Sequence, residues 1–190
     1  MRSALPGLVL MFVACGPATP TPDAGGACLD TGKTPANLIE NARFECDSMD
    51  WSGIFGTLEL ASGGRSGRAA KVTVNQAGGR FAYAKAFTPN PGTKTFCFSA
   101  YVSGTAPFMR MRVLRDFNGS VQEVAFSEQI FSDFRKVPTL KVTGENAPKL
   151  QLVFEVQTNR GDGQNAMAGQ TMLIDDVDVW ETSNNCMEAR

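Results

Sequence analysis

Residues 149–158 read KLQLVFEVQT, and their alternation decides the fold class. Leu150, Leu152, Phe154 and Val156 share one parity, and Gln151, Glu155 and Gln157 share the other. A period of two puts successive side chains on opposite faces of an extended strand. The apolar set then covers a core while the polar set faces water, as in an antiparallel sheet buried on one side.

The same pattern recurs on both sides of this run. Residues 108–114 (FMRMRVL) set Met109, Met111 and Val113 against Arg110 and Arg112. Residues 95–103 (TFCFSAYVS) set Phe96, Phe98, Ala100 and Val102 against Cys97, Ser99, Tyr101 and Ser103. Residues 80–87 (RFAYAKAF) set Phe81, Tyr83, Lys85 and Phe87 against three alanines. Further strands are expected at 57–60, 69–74, 134–142 (bent by Pro138) and 172–180, with a bulged first strand at 37–45. Asn118-Gly119 is a hairpin signal. About eight to ten short strands separated by Gly- and Pro-containing turns predict an all-β, antiparallel two-sheet sandwich or jelly roll.

Composition narrows the function. The 190 residues include no His, which removes Ser-His-Asp triads, Cys-His pairs and His-ligated zinc. Eighteen basic residues nearly balance nineteen acidic ones, so no basic nucleic-acid surface is expected. No pair of acids is set apart as a glycosidase pair would be, and no enzyme is expected.

The first residues read as an export signal. One charge at Arg2 precedes the apolar run 5–14 (LPGLVLMFVA), too short for the about 20 residues that span a bilayer. Phe12-Val13-Ala14-Cys15 resembles a bacterial lipobox, with Phe where Leu is usual. Residues 1–14 are therefore expected to be a signal peptide and Cys15 the lipidated residue. Residues 15–36, rich in Pro, Thr and Gly, are expected to form the tether, and residues 37–186 the folded domain. The expected location is the cell envelope, lipid-anchored at the outer membrane or cell surface. The remaining cysteines, Cys28, Cys46, Cys97 and Cys186, suit two disulfides in one of three connectivities.

A set of local motifs resembles the family 4/9 carbohydrate-binding modules, a branch of the galactose-binding-like jelly rolls. Asn37-Leu38-Ile39, Asn41 and Phe44-Glu45 are similar to that family's opening strand, with Trp51 a short distance on. Ser66-Gly67-Arg68-Ala69-Ala70-Lys71-Val72 resembles its Ser-Gly motif, 96–102 its central strand, and Ile174-Asp175-Asp176-Val177 its closing motif. The likeness spans residues 37–181. It implies a structural Ca²⁺ held by Glu45, carbonyls of the 65–68 loop and Asp175, since hard oxygen donors suit that ion. Jelly-roll topology sets the first strand beside the last, which favours Cys28–Cys186 and leaves Cys46–Cys97.

The resemblance also implies a polysaccharide or cell-wall glycan ligand. By parity, Tyr83, Tyr101, Arg110, Arg112, Glu155 and Gln157 are expected on one solvated face, with Trp51 as a further platform at its edge. Sugars bind where aromatic rings meet C–H faces and polar groups meet hydroxyls. The two arginines favour an acidic or mixed polysaccharide unless Glu155 neutralises them. The alternative is a structural or protein-interaction sandwich without a sugar ligand. A monomer is expected. Arg160-Gly161-Asp162 lies in a Gly-rich stretch that a hairpin turn explains.

Overall fold

The computed structural model describes residues 37–182 and Cys186, except positions 40, 55–56, 66, 76–80, 85, 90–91, 93–94, 118–119 and 144–148. Expectations for residues 1–36, including the signal peptide, Cys15, the tether and Cys28, lie outside the described residues. So do Lys85 and the Asn118-Gly119 turn.

Eleven strands form in order. They are β1 (Trp51–Ile54), β2 (Thr57–Ser62), β3 (Arg68–Thr73), β4 (Phe81–Ala84), β5 (Thr95–Gly104) and β6 (Phe108–Phe117). The rest are β7 (Ser120–Gln129), β8 (Arg135–Lys136), β9 (Leu140–Thr143), β10 (Lys149–Val156) and β11 (Thr171–Thr182). They build two antiparallel sheets that face each other as a sandwich. The first sheet runs β1-β4-β10-β6-β7. The second runs β2-β3-β11-β5-β8, with β9 also on β5.

The core lies where the expected apolar parities meet. Met109, Met111 and Val113 of β6 and Leu150, Leu152, Phe154 and Val156 of β10 are buried. They face Phe96, Phe98, Ala100 and Val102 of β5, with Met172, Ile174, Val177 and Val179 of β11. Full burial of one such side chain contributes about 1.5–3 kcal/mol.

Three expectations are corrected. Residues 37–45 form turns rather than a strand, because Asn41 (φ 52°) and Phe44 (φ 58°) are left-handed. Apolar alternation alone cannot announce such a backbone. The segment does lie beside β11: Leu38 N–H donates to Val179 O at 2.8 Å, and Val177 N–H donates to Ala42 O at 2.9 Å. The run 134–142 splits at Pro138 into β8 and β9, both on β5. Finally, Cys97 pairs with Cys186, at a Cα–Cα distance of 5.6 Å, which overturns Cys28–Cys186 and Cys46–Cys97. The reason is register. Trp180 of β11 stands opposite Cys97 and Thr182 opposite Thr95, so the chain leaves β11 beside β5 and Cys186 is within reach of Cys97. Cys46 is itself disulfide-bonded.

Candidate functional site

The outer face of the first sheet carries most of the residues expected to meet a ligand. Register aligns Phe81, Glu155, Arg110 and Ser127 in one row across β4, β10, β6 and β7. The next row is Tyr83, Val153, Arg112 and Ala125. Val153 is fully buried although its parity points away from the core, so neighbouring groups cover it.

Charge on this face is organised in a chain of ion pairs. Glu123 binds Arg110 at 2.6 Å and Arg112 at 2.5 Å, and Arg112 reaches Glu155 at 3.3 Å. Two guanidinium groups thus meet two carboxylates, and the local charge cancels. Among the described residues of this face Arg110 and Arg112 are neutralised, because Glu123 on β7 joins Glu155 in pairing with them. Arg110 remains the more open of the two, its side chain 41% exposed against 22% for Arg112. At one end Gln157 donates to Ser127 Oγ at 3.0 Å and accepts from Arg160 at 2.7 Å. Arg160 lies 3.7 Å over the Phe108 ring. Gln151 donates to Ala84 O at 3.2 Å.

Two expected platforms belong elsewhere. Trp51 is in β1, buried, 4.9 Å from Phe44 and 6.1 Å from Phe154 between ring centroids. It is a core residue and offers no face to a sugar. Tyr101 is in β5 of the second sheet, whereas Tyr83 is in β4 of the first, so the two tyrosines do not share a face. Parity reports which side of a strand a residue takes, and it is silent on which sheet the strand joins. Glu123, Ser127, Phe81 and Arg160 were missed. The hairpin signal at Asn118-Gly119, followed by the alternation of Glu123, Ala125 and Ser127 against Val124 and Phe126, was the signal for β7.

Arg160-Gly161-Asp162 is closed on itself. Arg160 Nη2 lies 2.6 Å from Asp162 Oδ2. Its hydrogen bond lowers the Asp162 carboxyl to about 2. The pair is a turn device.

Glu45 and Asp175 do converge on the loop that precedes β3. Arg65 N–H donates to Asp175 Oδ2 at 2.7 Å, and Arg68 N–H to Glu45 Oε2 at 3.1 Å. Two glycines allow this close approach. A Cβ on Gly67 would stand 2.1 Å from Glu45 Oε2. One on Gly64 would stand 2.2 Å from Arg68 O and 2.8 Å from Asp175 Oδ2. Asp175 is fully buried, and desolvation lifts its carboxyl from 3.8 to about 6. Backbone N–H groups of Arg65 and Asp176 oppose that shift, and the nearby Asp176 and Glu45 charges add to it. Two carboxylates and a carbonyl gathered this way are the hard oxygen donors Ca²⁺ takes, with carbonyls and water completing the shell. Among the described residues no three acidic or cysteine side chains gather as a metal-holding group, so this site offers two carboxylates and backbone oxygen.

No protein-family model matches the chain, and no curated protein matches it in sequence. Solved structures do match in fold. The CBM22-1 xylan-binding domain of Xyn10C from Paenibacillus barcinonensis aligns with 18% identity and a TM-score of 0.57, over 76% of this chain and 94% of that one. A family 4 carbohydrate-binding module aligns with 17% identity and a TM-score of 0.54, over 76% and 99%. The enzymatically active domain of tailspike protein 4 from bacteriophage CBA120 aligns with 13% identity and a TM-score of 0.59, over 77% of this chain and 22% of that one. At such identities the likeness shows the fold, which is the β-sandwich of carbohydrate-binding modules.

Proposed function

We propose that the chain is a non-catalytic glycan-binding domain that presents the outer face of its first sheet to a neutral polysaccharide, and that it works tethered at the cell envelope through Cys15. The observation that carries the ligand class is the cancelled charge of Arg110, Arg112, Glu123 and Glu155. A net-neutral array of donors and acceptors suits hydroxyl-rich chains without selecting for acid groups. Rigid strands hold these groups in place, which limits the ordering cost of binding. The fold shared with carbohydrate-binding modules supports the same reading.

Ca²⁺ fits as a structural ion at Glu45, Asp175 and the loop carbonyl of Arg68. When bound it would supply positive charge to a buried carboxylate and fasten the 63–68 loop to β11.

The test is affinity electrophoresis of the full chain in gels cast with xylan, β-galactan, pectate or peptidoglycan fragments. Retardation by a neutral polymer is expected, little altered by 0.15 M salt, where the Debye length is about 8 Å. Arg110→Ala should weaken it roughly tenfold through loss of a charge-assisted hydrogen bond, with the melting temperature unchanged. Retention by pectate with no retention by any neutral polymer would overturn the neutral-polymer reading of this face. Retention by no polymer would favour a protein-interaction sandwich.

A further inference from the structure

A cleft opens on the outer face of the second sheet, with a volume of about 260 Å³. Tyr101 of β5 and Lys136 of β8, direct neighbours in register, form part of its lining. Arg43, Arg65, Asp176 and Asp178 complete its charged rim.

The backbone around this cleft is shaped to build it. β11 carries a register shift between Asp175 and Asp178, with Asp176 left-handed at φ 44°. That bulge brings both Asp176 and Asp178 to the cleft while Val177 between them stays buried. Asn41 and Phe44, also left-handed, flank Ala42 and Arg43 on the facing segment. Bulges and left-handed non-glycine residues concentrate where a protein re-aims side chains for use. Asn37 locks the wall. Its Nδ2 donates to Val177 O at 2.8 Å, and its Oδ1 accepts from Ile39 N–H at 3.2 Å and Val179 N–H at 3.1 Å.

Charge decides what the cleft takes. Arg43, Arg65 and Lys136 outnumber Asp176 and Asp178 among the lining residues by three to two, with Asp176 shared between Arg65 and Arg43, the latter at 3.8 Å. Arg65 lies 3.6 Å over the Tyr101 ring and is paired with Asp176, so its guanidinium is held at a fixed angle. The Tyr101 face is therefore occupied, and recognition here is polar rather than by ring stacking on a sugar. The volume is below the about 300–1,000 Å³ typical of drug-sized ligands, which limits the occupant to one ring.

The geometry points to a site for a single carboxylated sugar residue, a uronic acid, whose carboxylate meets Arg43, Arg65 and Lys136 while its hydroxyls donate to Asp176 and Asp178. This site is separate from the neutral-polymer face of the first sheet. A uronic acid combines one anionic group with several hydroxyl donors in one ring, which matches three cations set against two acceptors.

Titration calorimetry of the full chain with D-glucuronate, D-glucose and inorganic sulfate tests it, with amide chemical shifts locating the site. Glucuronate should bind and perturb residues 99–101, 135–137 and 175–178, leaving β6 and β10 unmoved. Glucose should not bind there, and sulfate should bind at least about tenfold more weakly than glucuronate. Arg43→Ala, at a side chain 56% exposed, should weaken glucuronate roughly tenfold without changing the melting temperature. Lys136→Met gives a second, independent variant with the same expectation. Equal binding of sulfate and glucuronate would reduce the cleft to an adventitious ion site. Shifts confined to β6 and β10, an absence of binding, or indifference to both variants would each overturn the assignment. None of these outcomes bears on retention of neutral polymers by the first sheet.

Discussion

Trp51 packs edge-on against Phe44 and near-parallel to Phe154, and its indole N–H is buried without a hydrogen-bond partner among the described residues. Trp51→Ala removes both ring contacts and leaves a cavity, so unfolding in denaturant should show a loss of about 3–5 kcal/mol. Trp51→Phe keeps an aromatic ring and deletes the unpaired donor, so its loss should be much smaller. Asp175 makes a prediction about pH. Its folded-state carboxyl sits near 6 against 3.8 unperturbed, because burial opposes its charge. A raised value favours the folded state while the group is protonated. In chelator, this contribution is complete below about pH 4 and is lost as pH rises through about 6, a fall of about 3 kcal/mol. Melting curves across that window should show the decline, and Asp175→Asn should flatten it. Millimolar Ca²⁺ should offset the loss at neutral pH in the wild type, by binding only the folded state. A wild-type melting curve indifferent to both Ca²⁺ and chelator would remove the ion from the account.

At the level of elements, the disulfide joins two positions 89 residues apart. Closing a loop of that length restricts the unfolded chain, and Cys186→Ser should destabilise by about 4–5 kcal/mol in the chain-entropy model. Equilibrium unfolding of the variant against wild type under non-reducing conditions measures this. Peptide mapping without reduction should recover a Cys97–Cys186 peptide. Elements also show where sequence reading succeeds. β6 and β10 were legible because Met109, Met111 and Val113, and Leu150, Leu152 and Phe154, alternate without interruption. β1 was not, since Ser52 and Gly53 leave its four residues with no apolar alternation. The opening segment misled because Leu38, Ile39 and Phe44 suggest a strand, while the left-handed turns at Asn41 and Phe44 have no fixed residue signature.

Across the whole molecule, the sandwich and its core followed from alternation, while the assignment of strands to sheets did not. Tyr83 and Tyr101 look equivalent along the chain and end on opposite sheets, because pairing between distant strands is decided by the packing of the complete core. The same limit applied to the charged face: Arg110 and Arg112 could be placed outward, but Glu123, their partner, came from a strand that was not read. The Glu45–Asp175 convergence was legible only through the resemblance, since no spacing rule connects residues 130 positions apart.

The attachment of Asn37 to β11 has a mechanical consequence. The upstream chain enters the fold at the second sheet, on the far side of the sandwich from the ion-paired face of the first. A pull between a glycan held on that face and the upstream chain would cross the whole domain. Its first bearing points would be the bonds of Asn37 to Val177 and Val179 and of Leu38 to Val179. β11 is anchored on one side by β3 and on the other by β5, so it would spread the load into both neighbours. In single-molecule pulling through residue 37, Asn37→Ala should lower the force of the first rupture. The same change should leave polymer retention at rest untouched, so the domain's grip under tension and its affinity in still solution would be governed by different residues.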